Sequence, residues 1–192
     1  MIWAVVLAAG RSRRMGTQKL LLPFGGITIV ESVVGAALEA SLQGVVVVLG
    51  ADEERVRAKL APSAVTFAVN EDWERGMFSS VRAGFEALPE KATAAVVMLG
   101  DQPFVKPETI DELVARHRET RRGIVLPAHD GQRGHPVLID TKFKGEILAL
   151  GPEATLRDVV RAHADEVLEV EIDDPDVLRD IDTPEDYGSG TV

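Results

Sequence analysis

The 192-residue sequence contains no cysteine. Disulfides, zinc–thiolate sites, iron–sulfur clusters and thiol nucleophiles are therefore excluded. It also lacks a run of about 18 apolar residues, so no transmembrane helix is expected. The apolar residues 2–9 precede the first arginines, the reverse of a secretory signal peptide. We expect a cytoplasmic protein with no membrane partner, folded as one domain over residues 1–187 with a loose tail at 188–192.

Basic residues are in the minority, since Lys and Arg total 21 against 31 Asp and Glu, and the formal net charge is −10. This acidity argues against a nucleic-acid partner. The cations are unevenly distributed, because four of them and no acid precede Glu31. These four are Arg11, Arg13, Arg14 and Lys19. A basic segment at the start of an acidic chain predicts binding of a polyphosphate.

The basic segment follows an apolar run over residues 2–9 that predicts a buried strand. Five residues separate Gly10 from Gly16, and Lys19 comes three positions later. This spacing matches neither the Walker A loop, whose lysine directly follows its second glycine, nor the dinucleotide fingerprint. We expect the backbone to wrap around phosphates; the alternative is a glycine-rich turn with surface arginines. The predicted nucleotide-binding residues of this segment are Leu7, Ala8, Ala9, Gly10, Arg11, Ser12, Arg14, Gly16 and Lys19.

Apolar, β-branched runs alternate with helical patterns along the rest of the chain. Strands are predicted over residues 2–9, 45–49, 65–69, 94–99, 124–128, 136–139 and 166–172. Helices are predicted over residues 28–42, 52–60 (capped by Asp52), 79–88, 107–120 and 154–164, with a last helical turn opened by Pro184 and capped by Thr183. This alternation predicts a mostly parallel sheet covered by helices, with ligands beyond the carboxyl ends of the strands.

Two aspartates are candidate metal ligands. Asp101 comes just after the strand 94–99, where a carboxylate is costly without a partner, and Mg²⁺ is the natural partner in a phosphate site. Asp182 is predicted to return to this site as a second ligand, ahead of Asp180. The alternative for Asp101 is a helix-capping or turn aspartate before Pro103. The alternative for Asp182 is a cluster of solvated acids that caps the last helix.

A polar segment follows the strand 65–69. Asn70 and Ser80 are predicted to contact the nucleotide, because hydroxyl and N–H groups at a helix start bind phosphates and base edges. The alternative is that Ser79 or Ser80 only caps the helix. Trp73 and Met77, in the same segment, are predicted to be packing residues.

A lone histidine lies beside an arginine and a glycine in the sequence Arg133-Gly134-His135. Such a loop histidine is most often structural or solvated. Its neighbours nevertheless make His135 a candidate contact for an anionic acceptor, together with Arg133.

Five motifs occur in an order that resembles a known family: LAAGRSRRMGxxKLLLP, GMFSSVRAG, LGDQP, RGHPVL and DIDTPEDY. Together they resemble the MocA-like molybdenum cofactor cytidylyltransferases, within the MobA-like NTP transferase group, over residues 2–187. The first motif is shared across the superfamily, whereas LGDQP and GHPV are narrower. The chain departs from the family at residues 151–157, which read GPEATLR where many members carry GDxGAR. This difference bears on the acceptor more than on the nucleotide.

The resemblance implies a Rossmann-like α/β nucleotidyltransferase fold, with a mixed, mainly parallel sheet and helices on both faces. It implies transfer of CMP from CTP to the terminal phosphate of molybdopterin, with Mg²⁺ and release of pyrophosphate. The LAAG sequence resembles the cytidylyl rather than the guanylyl relatives. The implied catalytic residues are Lys19, Arg14 and Asp101, the metal ligands Asp101 and Asp182, and the acceptor-binding residues Gln102, Arg133 and His135.

Three alternatives remain open from the sequence. The first is that the acceptor is another phosphorylated molecule, and the second is that the donor is GTP. The third is that the protein is a non-catalytic carrier of molybdenum cofactor. A molybdoenzyme of the xanthine dehydrogenase type is the expected partner.

Overall fold

One mixed sheet forms the centre of the molecule in the computed structural model, which describes residues 1–12, 15–151 and 153–190. The strands are β1 Ile2–Ala8, β2 Pro23–Phe24, β3 Ile27–Thr28, β4 Val45–Leu49, β5 Thr66–Val69, β6 Ala94–Leu99, β7 Ile124–His129, β8 Gln132–Arg133, β9 Val137–Asp140 and β10 Val167–Glu171. The sheet order is β10-β7-β9-β6-β1-β4-β5, with β8 paired to β7 and with β2 and β3 forming a separate hairpin. Strand β9 is antiparallel to both β6 and β7, while β6, β1, β4 and β5 run parallel.

Helices cover both faces of this sheet. They are α1 Ile29–Glu39, α2 Glu53–Leu60, α3 Met77–Ala87, α4 Pro107–Thr120, α5 Lys144–Ala149, α6 Leu156–Ala162 and α7 Pro184–Gly190. Alternate residues of β1 enter two different hydrophobic clusters, because successive side chains of a strand point to opposite faces. Ala4 and Val6 belong to the cluster that includes residues of α1 and α4, whereas Val5 and Leu7 belong to the cluster that includes residues of α3 and α6. The predicted fold class, mainly parallel with helices on both faces, is confirmed.

Several element boundaries differ from the prediction. Helix α1 begins at Ile29 because Thr28 and Glu31 form a reciprocal capping box. Asp52 does not cap α2 through its side chain, since its backbone is left-handed, with φ 56°. Helix α3 begins at Met77, after Gly76, so neither Ser79 nor Ser80 is an N-cap.

The sequence prediction missed helix α5 and the short strands β2, β3 and β8. Helix α7 extends to Gly190, into the segment predicted as a tail. No helix within the described ranges is both long and apolar enough to cross a membrane.

Gly84 lets α3 lie directly on the sheet. A Cβ atom there would overlap the side chain of Val5 and come within 3.2 Å of Val48 Cγ2. We expect Gly84→Ala to lower the free energy of unfolding by about 1–3 kcal/mol, because the core of a domain tolerates added volume poorly. Gly35→Ala in α1 is the matched control, since nothing lies within 4 Å of its Cβ position.

The control should instead raise the free energy of unfolding by about 0.5–1 kcal/mol through helix propensity. Urea denaturation of both variants measures the difference. Equal effects at the two positions would contradict the close contact between α3 and β1.

Candidate functional site

The loop after β1 is held in shape by Ser12 and Gln18. The Ser12 hydroxyl donates to Gln18 Oε1 at 2.7 Å and accepts from the backbone N–H of Lys19 at 3.0 Å. Gln18 is only 4% exposed, and its Nε2 donates to the carbonyl of Gly10 at 3.1 Å. The backbone of Ser12 is left-handed, with φ 50°. These contacts bring the end of the loop back beside its beginning and direct Lys19 toward the carboxyl ends of the strands.

Lys19 bridges two carboxylates. Its Nζ lies 2.6 Å from Asp101 Oδ2 and 2.7 Å from Asp182 Oδ1. The side chains of Lys19, Asp101 and Asp182 are 12%, 22% and 29% exposed. The three residues are therefore partly shielded from water yet open to a ligand.

The C-terminal segment reaches this site through the backbone. The N–H of Ile181 donates to the carbonyl of Asp101 at 3.0 Å, and the Ile181 side chain is fully buried in the core. Asp186 accepts from the N–H groups of Asp182 and Thr183 at 3.1 and 2.8 Å, and from the Thr183 hydroxyl at 2.8 Å. Thr183 thus takes part in the start of α7 as predicted, and the same contacts fix Asp182 beside Asp101.

The charges of this cluster alter the pKa values of Lys19 and Asp180. Burial by itself would lower the pKa of Lys19, but the charges and hydrogen bonds of Asp101 and Asp182 outweigh it and raise that pKa above its ordinary value. Burial, together with the negative charges of Asp182 and Asp101, raises the pKa of Asp180. Lys19 therefore stays a cation over the whole physiological pH range.

A cavity of about 310 Å³, here called the loop cavity, opens beside Lys19. Its walls come from the loop after β1, the ends of β1 and β6, and the start of α3. The predicted site residues that line it are Leu7, Ala9, Gly10, Arg11, Ser12, Lys19, Ser80 and Asp101. The structure therefore brings together, around one space, residues from three separate sequence motifs.

Other predicted residues lie elsewhere. Ala8 is fully buried in the core, and Gly16 lines a neighbouring cavity of about 550 Å³. Asn70 is 5% exposed, and its Nδ2 donates to Ser79 Oγ and Ser80 Oγ at 2.8 and 3.0 Å. It holds Ser80 in position rather than lining the loop cavity itself.

Arg14, a predicted catalytic residue, lies outside the described residues. Gln102, predicted to bind the acceptor, is not among the residues that line the loop cavity. Gln102 is 5% exposed, and its Oε1 is buried without a hydrogen-bond partner in the part of the chain that the structure describes.

The sequence prediction missed some residues of this site. Gln18 carried no pattern signal beyond its place before Lys19. Trp73 and Met77, predicted as packing residues, both line the loop cavity together with Glu74. Met77 is 62% exposed, which does not fit a packing role.

His135 lies where two further cavities meet. The central cavity, about 490 Å³, includes Leu7, Met77 and Leu99 in its lining and so adjoins the loop cavity. The α6 cavity, about 610 Å³, lies against helix α6 and strand β8. His135 lines both, while Arg133 lines only the α6 cavity and is paired with Glu169 at 2.6 Å.

Burial lowers the pKa of His135. The negative charge of Asp101 opposes this shift, and the positive charge of Arg157 reinforces it. The unfolded chain takes up this proton at the ordinary pKa of about 6.5, before the folded protein does. The stability that depends on neutral His135 is therefore complete above about pH 6.5 and decreases as the pH falls below it.

We expect the free energy of unfolding in urea to fall more between about pH 7.5 and pH 5.5 in the wild type than in His135→Gln. Parallel pH profiles would contradict this burial effect.

Asp101 and Asp182 fit a divalent cation. The ammonium of Lys19 already lies between their oxygens, which shows that both carboxylates can face one cation. Among the described residues there is no group of three or more His, Asp or Glu arranged to hold a metal. A two-carboxylate set suits Mg²⁺, which usually takes one or two carboxylates and completes its shell with substrate phosphates and water.

Comparison with known proteins bears directly on this arrangement. A family model described as the MobA-like NTP transferase domain matches residues 4–167. The chain belongs to this family. The match includes the loop after β1, Lys19 and Asp101, whereas Asp182 lies beyond it.

Two curated relatives match this MobA-like chain over nearly its full length. Nicotine blue oxidoreductase of Paenarthrobacter nicotinovorans is 32% identical, covering 96% of this chain and 93% of the relative. Molybdenum cofactor cytidylyltransferase of Escherichia coli K12 is 28% identical, covering 95% and 92%. The resemblance to the MocA-like branch is thereby confirmed.

Solved structures agree with the fold. Rv0371c from Mycobacterium tuberculosis H37Rv superposes with a TM-score of 0.88 at 33% identity, covering 98% of this chain and 95% of that one. A structure of Rv0371c in complex with manganese superposes with a TM-score of 0.84 at 30% identity, covering 98% and 97%.

Proposed function

We propose that this protein transfers CMP from CTP to the terminal phosphate of the molybdenum cofactor and releases pyrophosphate. The observation that carries the proposal is the bridge from Lys19 to Asp101 and Asp182 at the edge of the loop cavity. Charged groups arranged in this way suit phosphoryl chemistry, in which positioning and electrostatic stabilisation supply most of the catalysis. The E. coli relative's name supports the choice of reaction.

In this proposal the loop after β1 holds the triphosphate. Its backbone N–H groups and Arg11 neutralise the phosphates, and Lys19 leaves its carboxylates to stabilise negative charge on the α-phosphate. Asp101 and Asp182 would hold Mg²⁺, which neutralises charge and orients phosphate oxygens when bound.

The acceptor's terminal phosphate oxygen forms a bond to the α-phosphorus as the bond to the β-phosphate's bridging oxygen breaks. Pyrophosphate leaves with that electron pair. A phosphate monoester is largely ionised at pH 7, so no general base is required.

The donor base is proposed to be cytosine. The support is the sequence Leu7-Ala8-Ala9-Gly10, where guanylyl relatives carry a second glycine in place of Ala9. Ala9 is among the residues that line the loop cavity. Delivery of the product to a molybdoenzyme of the xanthine dehydrogenase type stays a prediction.

The name of the Paenarthrobacter relative makes oxidoreduction the competing assignment. The two assignments are separated by one set of assays on purified protein. Pyrophosphate release is measured with CTP, GTP, ATP or UTP, with and without molybdenum cofactor, and with Mg²⁺ or Mn²⁺. Reduction of nicotine blue with a nicotinamide cofactor is measured in parallel.

Release with CTP alone, dependent on the molybdenum cofactor, is the expected result. Release with GTP instead would change the assigned donor base from cytosine to guanine and leave the proposed reaction unchanged. Nicotine blue reduction without pyrophosphate release would overturn the proposal, and cofactor binding without release under any condition would favour a carrier.

A further inference from the structure

The α6 cavity combines positive charge with apolar walls. Three arginines line it, Arg133, Arg157 and Arg161, against the single acid Glu169. Leu126, Val137, Leu156 and Val160 supply apolar surface. This excess of cations occurs in a chain whose net charge is −10, so the cavity is a local exception to the charge of the whole molecule.

The three arginines differ in how far their charge is already neutralised. Arg133 contacts Glu169 Oε1 through Nε at 3.0 Å and through Nη2 at 2.6 Å. Arg161 lies 4.0 Å from Asp158, the outer limit of an ion pair. Arg157 is exposed and has no acid within that limit in the described ranges. Arg157 and Arg161 are therefore the cations most available to a ligand.

Shared lining residues place the α6 cavity, the central cavity and the loop cavity side by side. His135, Leu156 and Arg157 line both the α6 cavity and the central cavity. Leu7, Gly76, Met77 and Leu99 in turn line both the central cavity and the loop cavity. The three cavities thus form a row from Lys19 to helix α6.

The middle of this path is mostly apolar. Phe78, Val81 and Val97 line the central cavity, together with the shared residues Leu7 and Leu99. Such walls suit a flat or apolar body, and ligand sites commonly pair apolar walls with a few charged groups that fix orientation.

We infer that Arg157 and Arg161 form a subsite for a second anionic group of the acceptor, at the end remote from the phosphate that receives the nucleotidyl group. The acceptor is then an extended molecule with a terminal phosphate at Lys19, a flat or apolar middle, and an anion near helix α6. This inference rests on the proposed function for the position of the terminal phosphate. It separates acceptors of this class from small phosphate monoesters, which cannot contact both ends of the path.

The test measures binding of molybdenum cofactor to the full chain without nucleotide, by fluorescence titration at low and high salt. The variants are Arg157→Gln, Arg161→Gln and the double variant. Arg118→Gln is the matched control, because Arg118 is an exposed arginine of α4, on the opposite face of the sheet. CTP binding is measured for each protein in the same way.

We expect each single substitution in α6 to weaken cofactor binding about tenfold at low salt, the scale of one charge-assisted contact. The loss should shrink at high salt, because exposed charges are screened. Binding of CTP, and of cofactor to Arg118→Gln, should match the wild type.

Wild-type affinity for the cofactor in the double variant would overturn the subsite, and so would an equal loss of CTP binding, which indicates a damaged fold. Failure of the wild type to bind the cofactor at all would overturn it too. Failure of the proposed reaction gives a different result. In that case the cofactor still binds in a way that depends on Arg157, no pyrophosphate is released, and the subsite is retained.

Discussion

Lys19→Met is expected to lower kcat for pyrophosphate release about a hundredfold to a thousandfold, the effect of removing one preorganised donor from a developing charge. The raised pKa of Lys19 keeps it cationic, and its Nζ contacts both Asp101 and Asp182 at the edge of the loop cavity. Methionine keeps an unbranched side chain, one atom shorter than that of lysine, and removes both the charge and the N–H donors. Steady-state pyrophosphate release with CTP and molybdenum cofactor measures the effect.

The same variant should bind Mn²⁺ more tightly than the wild type in the absence of nucleotide. Without a nucleotide, the Lys19 ammonium holds the carboxylate oxygens that a metal would use, so a bound metal must displace it. Titration followed by electron paramagnetic resonance measures this affinity independently of turnover.

Lys91→Met, at an exposed position away from the site, is the control and should change neither property. Unchanged turnover in Lys19→Met would remove Lys19 from the mechanism. Weaker Mn²⁺ binding in that variant would show that Lys19 does not compete with the metal.

The central elements of the fold were predictable because their patterns are strong. Strands Val45–Leu49 and Ala94–Leu99 read as continuous apolar runs, typical of strands buried on both faces, and were predicted to the residue. Helix Pro107–Thr120 was predicted equally well, because proline is favoured in the first helical turn.

The weaker elements depend on tertiary contacts. Helix α5 has only six residues and β2 and β3 have two each, too few for a periodic signal. The start of α3 is set by Gly76, whose φ of 110° ends the preceding turn, and not by the serines that looked like caps.

The candidate site was partly predictable for a related reason. In a parallel sheet, residues that follow strand ends meet at one edge, so Lys19 and Asp101 were expected to lie close together. The approach of Asp182 to Asp101 was predicted from its motif. Its cause is the backbone hydrogen bond from Ile181 N–H to the Asp101 carbonyl, which has no local sequence signal. Residues 151–157 were linked to the acceptor only through the family resemblance, and the cavities that lead from Lys19 to Arg157 depend on where α6 packs, which has no local sequence signal.

Asp101→Asn is the second substitution with a large expected effect. We expect kcat to fall on the order of a hundredfold to a thousandfold, because an amide oxygen carries no charge to hold a metal or to position Lys19. Asp182→Asn should lower kcat in the same direction. The double variant should be little worse than Asp101→Asn alone, since groups that act as one unit lose their effect together.

Measurements on single and double variants distinguish whether Asp101 and Asp182 act as one unit or as two independent carboxylates. Mn²⁺ affinity and turnover are compared across the two single variants and the double variant, with Asp130→Asn as the control, since the Asp130 side chain is 90% exposed. Thermal unfolding of each variant checks that the fold is retained. Losses in the double variant equal to the product of the single losses would mean that Asp101 and Asp182 serve separate purposes, and the shared contact with Lys19 would then be a feature of the ligand-free protein only.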